Sequence, residues 1–241
     1  MSVESSISQE NMEIYFKELG KQYRKLSGKK APAEIILIGG ASVLLNYGFR
    51  DTTYDADAII HAASCMKEAI NHVRDEFNLP HGWLNEEFKK TTSYSDKLVE
   101  VSVYYRSYAN ILTVRTIAAE YLIAMKAMSG RQYKYDLSDI IGILWEHEKR
   151  NDPITRGSVD NAIFMLYGYV SVPDISKRLL DDVFKCGSYE KLYEEVREKE
   201  RESKELILEF DKEHPNTLKG ENITTIIEQI KQKKTTNLNN I

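Results

Sequence analysis

The sequence predicts an α+β protein: an N-terminal mixed β-sheet flanked by helices, followed by a C-terminal helical bundle. Three observations carry this. Apolar and period-two stretches bounded by Gly and Pro are confined to residues 34–114. From about residue 153 the β signal vanishes, and segments with helical spacing follow one another, broken at Pro173, Gly187 and Pro215. The 241 residues are 42% hydrophobic and 29% charged, enough apolar material for a sizeable core.

The first helix is expected over residues 9–27, where Met12, Tyr15, Phe16, Leu19, Tyr23 and Leu26 recur at steps of three and four. Gly28 to Pro32 breaks it. Residues 34–38 are too apolar to be half-exposed and suit a central strand, 41–47 a short helix ended near Gly48, and 53–60 a second strand. A helix over 64–77 places Met66, Ile70, Val73 and Phe77 on one side, and a loop with Pro80, Gly82 and Trp83 follows. Val99, Val101 and Val103 alternate with Glu100 and Ser102, which predicts a strand, and 110–114 predicts another. Helices are expected over 116–128 and 137–148, then over 157–169, 174–186, 188–213 and 221–233. Tyr189–Leu208 alternates Glu with Lys and Arg around a stripe of Leu192, Val196, Leu206 and Tyr193, the pattern of a solvated charged helix. Lys231–Ile241 is polar and expected to fray.

Composition excludes several function classes. A net charge of −4 gives no overall attraction for nucleic acid, although a local basic groove stays open. Cys65 and Cys186 build neither a disulfide framework nor a zinc site and read as buried thiols. His61, His72, His81, His147 and His214 show no metal-ligand spacing, and no Ser/His/Asp or Cys/His grouping supports a hydrolase. Met1–Glu10 has no signal-peptide pattern, and no apolar run approaches the ~20 residues of a membrane span, so a cytoplasmic protein with no membrane partner is expected.

Residues 35–60 carry the chemistry. An apolar strand enters Gly39-Gly40 and a short helix, and a second strand brings Asp55 and Asp57 at i, i+2, hence on one face. Two carboxylates side by side repel unless a cation lies between them, and Mg²⁺ is the usual one. A Gly-Gly turn opening a helix offers backbone N–H groups to phosphate. Gly-Gly alone reads as a turn that needs small residues, and Asp-x-Asp alone is common in loops. Within an apolar strand, burying two aspartates without a partner would cost several kcal/mol.

These residues resemble the nucleotidyltransferase (polymerase-β-like) superfamily, whose Arg…Thr-x-Asp-x-Asp core Arg50, Thr53, Asp55 and Asp57 match. Leu79–Asn85, Glu120–Arg131 and the Asp136-x-x-Asp139-Ile140 that follows are similar to bacterial nucleotidyltransferases related to AbiEii/AbiGii-type toxins. The resemblance covers residues 34–148 and departs from the superfamily at Ala56, where a larger aliphatic residue is usual. It implies a nucleotidyltransferase-like α/β domain over 1–150 and a helical domain over 151–241. The implied activity is Mg²⁺-dependent transfer of an NMP from an NTP to an RNA, tRNA included, or to a protein. Its setting would be a toxin–antitoxin or phage-defence module with a cognate antitoxin.

The resemblance also assigns roles. Asp55 and Asp57 would hold metal, and Glu100, the one acidic residue of the predicted 99–103 strand, would complete the site or else face solvent. Gly39, Gly40, Ser42, Arg50, Lys126 and Arg131 would hold the nucleotide, and Asp55, Asp57, Lys126 and Asp139 would act in catalysis. Lys126 lies in an apolar helix and either snorkels to solvent or meets a phosphate. Arg131 pairs with an aspartate or with phosphate, Asp136 reads equally as a helix N-terminal charge, and Trp83 as a packing residue or a base-stacking one. The alternative is a catalytically inactive nucleotidyltransferase-like protein that binds or regulates.

Overall fold

The computed structural model describes residues 6–215, 217–218 and 222–238, with the backbone alone at 224 and 233–238. In chain order the elements are β1 (Ile7–Ser8), α1 (Gln9–Ser27), β2 (Ala33–Leu37), α2 (Gly39–Asn46), β3 (Thr52–Thr53), β4 (Ala56–His61), α3 (Met66–Phe77) and β5 (Leu84–Asn85). After two single-turn 3-10 helices (Glu87–Lys90 and Asp96–Leu98) come β6 (Ser102–Tyr108), β7 (Leu112–Ile117), α4 (Ala119–Ser129), α5 (Asp136–Lys149), α6 (Arg156–Tyr167), α7 (Asp174–Val183), α8 (Tyr189–Glu213) and α9 (Ile223–Leu238). The chain divides into two compact units, residues 1–128 with 154–171 and residues 129–153 with 172–241. The sequence reading places one cut at 150. In the structure α6 belongs with the sheet and α5 with the later helices.

In the first unit a five-stranded mixed sheet runs in the order β5-β4-β2-β7-β6. β2 pairs antiparallel with β4 and parallel with β7. The central strand is β2, with Ile35, Ile36 and Leu37 all fully buried, because both its faces are covered. α1 and α3 pack on one face, where Met12, Phe16 and Leu19 meet Ile35, Leu37, Ala56 and Ala58. Ser8 starts α1 by accepting the Asn11 amide at 3.2 Å. Trp83 is a packing residue, 1% exposed, edge-on to Tyr15 with its indole N–H on the Ile70 carbonyl.

The strand expected at 99–103 starts late, with Ser102 and Val103 alone of those residues in it. Val99, Glu100 and Val101 form the turn after the second 3-10 helix, and β6 begins only at Ser102. Side chains around this loop tie it to the end of α6. Tyr167 donates to the Ser93 carbonyl at 2.7 Å, and Ser95 and Lys97 donate to the Leu166 and Met165 carbonyls at 2.9 and 2.6 Å. They satisfy carbonyls that a helix C-terminus leaves open, and the strand starts where that duty ends. β6 itself is polar because it is an edge strand, with Tyr104 63% exposed.

The second unit holds α5, α7, α8 and α9. α8 is not a fully solvated helix. Glu200 and Ser203 are buried on it, in line with the Leu192–Val196 stripe. α9 runs through Leu238, past the point where fraying was expected, and residues 239–241 lie outside the described ones. Both cysteines are free thiols and half-buried rather than buried. No helix among the described residues is long and apolar enough to cross a membrane.

Candidate active site

The turn from β2 into α2 builds the site. The Ile38 amide donates to the Asp57 carbonyl at 3.0 Å, which brings the end of β2 against the start of β4. Gly39 then takes the left-handed conformation, φ +55°, which glycine adopts at no steric cost. A Cβ on Gly39 would lie 3.9 Å from Asp57 Oδ2. The Asp57 carboxylate, on a half-buried residue, therefore stands beside the first turn of α2. Ile38 at the N-cap of α2 has an apolar side chain and makes no side-chain cap.

Gly40 is required for a second reason. A Cβ there would meet Arg50 Nη2 at 2.8 Å and Thr53 Oγ1 at 2.9 Å. The guanidinium of Arg50 lies against the turn, held in part by its Nε donating to the Thr52 carbonyl at 3.1 Å. Thr53, 4% exposed, donates from Oγ1 to the Asp55 carbonyl at 3.1 Å and so fixes the backbone between the two aspartates. Thr53 is anchored in turn by β1, whose Ile7 pairs with it. Gly39, Gly40, Arg50, Thr53 and Asp57 are thus one assembly. Asp55 lies one residue ahead of β4, exposed.

Asp55 and Tyr54 line one end of a cavity of about 670 Å³ within the first unit. Its walls are α3, with Lys67 and Arg74, and the loop from Pro80 to Glu87. β5 covers the outer edge of β4 only at Ala56 and Asp57, and beyond it the Glu86 carboxylate accepts the Ile60 amide at 3.0 Å. Asn85 shapes the loop, donating to the Gly82 carbonyl at 3.1 Å and accepting the Glu87 amide at 2.8 Å.

Other residues expected at the site are placed elsewhere or put to other uses. Ser42 has no exposed surface, and its hydroxyl accepts the Ile117 amide at 3.2 Å, bracing α2 on β7 rather than meeting phosphate. Glu100 is exposed in the turn before β6. β2 and β7 separate β6 from β4, three strand spacings or about 14 Å. Glu100 is therefore no third ligand beside Asp57. Among the described residues no group of three or more His, Cys, Asp or Glu stands together as a metal cage. Lys126 is 5% exposed and does not snorkel to solvent, and Asp139 is 0% exposed. Burial leaves both little or no surface for a nucleotide.

Arg131 Nε is 2.8 Å from Asp136 Oδ2, and Nη2 is 3.4 Å from Oδ1, so the guanidinium fork grips a fully buried carboxylate. Of the two alternatives for Arg131, the structure supplies the aspartate. The residue that sequence reasoning missed is Glu200. Its Oε1 accepts the Leu137 amide at 2.9 Å, capping the start of α5 in place of Tyr135, whose φ is +62°. Burial pushes this carboxyl up to about 8, against the opposing effect of its bonds from Ser138 and the Leu137 amide, and Asp139 and Asp136 nearby push the same way. The signal that marks it among the alternating charges is its place four residues beyond Val196, in line with the Leu192–Val196 stripe.

The residues of the turn, both strands and the motif helices also carry a family likeness. The family described as a nucleotidyltransferase of unknown function (DUF6036) matches residues 15–144, just over half of the chain. No curated protein and no solved structure matches. The match runs from α1 through the Gly39 turn and the Asp57 strand into α5, and the chain belongs to this nucleotidyltransferase family.

Proposed function

We propose that the protein is a Mg²⁺-dependent nucleotidyltransferase that moves an NMP from an NTP to an acceptor hydroxyl. The observation that carries this reading is Asp57 Oδ2 standing 3.9 Å from the Cβ position that Gly39 leaves empty, beside an α2 start without a capping side chain. A glycine backbone that a phosphate can approach closely, beside a carboxylate and a helix start, supports a metal-bound triphosphate there. Mg²⁺ is commonly held by one or two carboxylates together with substrate phosphates rather than by an all-protein cage. Asp57 and Asp55 would hold it, and when bound it would neutralise charge on the attacking and leaving oxygens.

The chain's own groups do the rest. The amides at the start of α2 orient the triphosphate, helped by the positive end of the helix. Arg50 and Thr53 keep the turn and the Asp55 backbone in place. The acceptor oxygen forms a bond to the α-phosphorus as the bond to the bridging oxygen breaks. Pyrophosphate leaves with that electron pair, and the hydroxyl proton passes to water. A toxin role with a cognate antitoxin is the biological setting that the family resemblance suggests.

The test is transfer of label from each α-labelled NTP by the wild type and by Asp57→Ala. Label moved by the wild type and not by the variant supports the reading, and equal labelling by both refutes it. The position of Glu100 favours one second reading, a family member that binds nucleotide without transferring it. That reading predicts NTP-dependent stabilisation with no transfer to any acceptor.

A further inference from the structure

We propose that Ile7 is a positioning residue of the nucleotide site, acting through a strap of Ile7, Ser8 and Gln9 where the chain enters α1. The inference rests on the nucleotidyl-transfer reading and concerns what holds that site in its binding shape.

β3 is the hub of the assembly around Gly39. The Thr52 carbonyl accepts Arg50 Nε at 3.1 Å, and Thr53 Oγ1 donates to the Asp55 carbonyl at 3.1 Å. Thr53 Oγ1 also stands 2.9 Å from where a Cβ on Gly40 would lie. Arg50, Asp55 and the turn are thus all tied to two residues, and those two belong to no larger sheet. Among the described residues β1 is the one strand that pairs with β3, Ile7 opposite Thr53 and Ser8 opposite Thr52.

A two-stranded pair this short does not stand on its backbone bonds alone. Its anchor is the Ile7 side chain, 1% exposed and part of the same apolar core as Met12, Leu44 and Leu45. Gln9 adds a second tie, its Nε2 donating to the Leu45 carbonyl near the end of α2 at 3.5 Å. The strap therefore bridges α2 and β3, the two elements that flank Arg50 in the chain. Opening so small a unit takes less free energy than unfolding the sheet beneath it. The docked strap and a bound triphosphate need the same placement of Thr53 and Asp55, so each strengthens the other by the same factor.

The experiment measures calorimetric affinity for each NTP with Mg²⁺ in the wild type, Ile7→Ala and Leu19→Ala, at a temperature where circular dichroism shows them folded. Leu19 is fully buried on α1 about three turns beyond Ser8, so its truncation weakens the core away from β3. Ile7→Ala is expected to weaken NTP binding at least about fivefold, the lower end of couplings between sites, and Leu19→Ala to stay within about twofold. Adding Ser8→Cys and Thr52→Cys, which stand opposite each other across the pair, and oxidising them is expected to restore most of the affinity that Ile7→Ala loses. Hydrogen exchange on the wild type reads the reciprocal effect. Mg²⁺ with NTP should slow the amides of residues 6–12 and leave those of 17–27 unchanged. Unchanged affinity in Ile7→Ala, equal weakening in Leu19→Ala, no recovery on oxidation, or exchange at 6–12 indifferent to NTP each overturns the inference and leaves the nucleotide site standing. If Ile7→Ala does not fold, the exchange measurement on the wild type decides. Absence of NTP binding to the wild type removes the nucleotidyl-transfer reading, and this inference with it.

Discussion

Two regions of the molecule gather carboxylates, and they use them in opposite ways. Around Gly39, Asp57 is half-buried and Asp55 exposed, beside a turn whose glycines let Asp57, Arg50 and Thr53 come close to the backbone. In the helical unit Asp136, Asp139 and Glu200 are at most 2% exposed, and Arg131 and the amides of α5 hold Asp136 and Glu200. Acidic residues at helix or strand spacing occur in both. What separates the two sets is burial: Asp55 and Asp57 keep surface, whereas the helical unit closes over its carboxylates.

The largest effect should separate the two regions outright. Asp57→Asn is expected to cut nucleotide transfer by at least about a hundredfold, the scale of removing one group that stabilises reacting charge. Its unfolding free energy should stay within about 1 kcal/mol of the wild type, as for a change outside the core. Asp136→Ala should do the reverse where stability is concerned. Loss of a buried ion-pair partner is expected to cost about 2–4 kcal/mol in denaturant unfolding. A stable Asp136→Ala protein, or an unfolded Asp57→Asn one, would erase the distinction.

Gly40→Ala sharpens the comparison from the other side, by crowding the turn rather than removing a charge. The new Cβ would have to displace Arg50 and Thr53, at a cost of about 1–3 kcal/mol for overpacking. NTP affinity, read by calorimetry, should fall with it. An equally stable variant with unchanged affinity would show that the close approach of Arg50 to the turn is not needed.

The last effect is a slope. Glu200 is held protonated up to about 8 by burial, against 4.5 for an ordinary glutamate. Its contribution to stability is therefore whole below pH 4.5 and is lost as pH rises toward about 8. Glu200→Gln keeps an oxygen for the Leu137 amide and removes the titration. Relative to the wild type, its stability from urea titrations at several pH values should gain steadily between pH 5 and 8. Parallel curves would mean that the group does not titrate in that window.

Much of this was legible in the sequence because the information was local. The helix over 9–27 and the turn at Gly39 are written in contiguous spacing and in residues with one conformational use. The two-residue strands β1, β3 and β5 carry no period to read. Val99 and Val101 continue the alternation of Val103 in β6 although they lie in the turn before it. Only the tertiary ties of Ser93, Ser95 and Lys97 to α6 show which it is, and Glu100 was misplaced for that reason. Ser42 was misread because a serine after a glycine turn serves phosphate or backbone equally well, and the Ile117 amide comes from a strand 75 residues away. Lys126 and Glu200 fail in a shared way. A charge inside a helix declares its chemistry in sequence but not its burial.

The central claim is that the space between Asp57 and the start of α2 holds a metal-bound triphosphate. Isothermal titration of the wild type and Asp57→Asn with each of the four NTPs, with Mg²⁺ and with EDTA, tests it most directly. Binding of at least one NTP that requires Mg²⁺ and weakens about tenfold or more in Asp57→Asn, a loss of about 1.4 kcal/mol, is the predicted result. Failure of all four NTPs to bind, or equal binding by the two proteins, would contradict it.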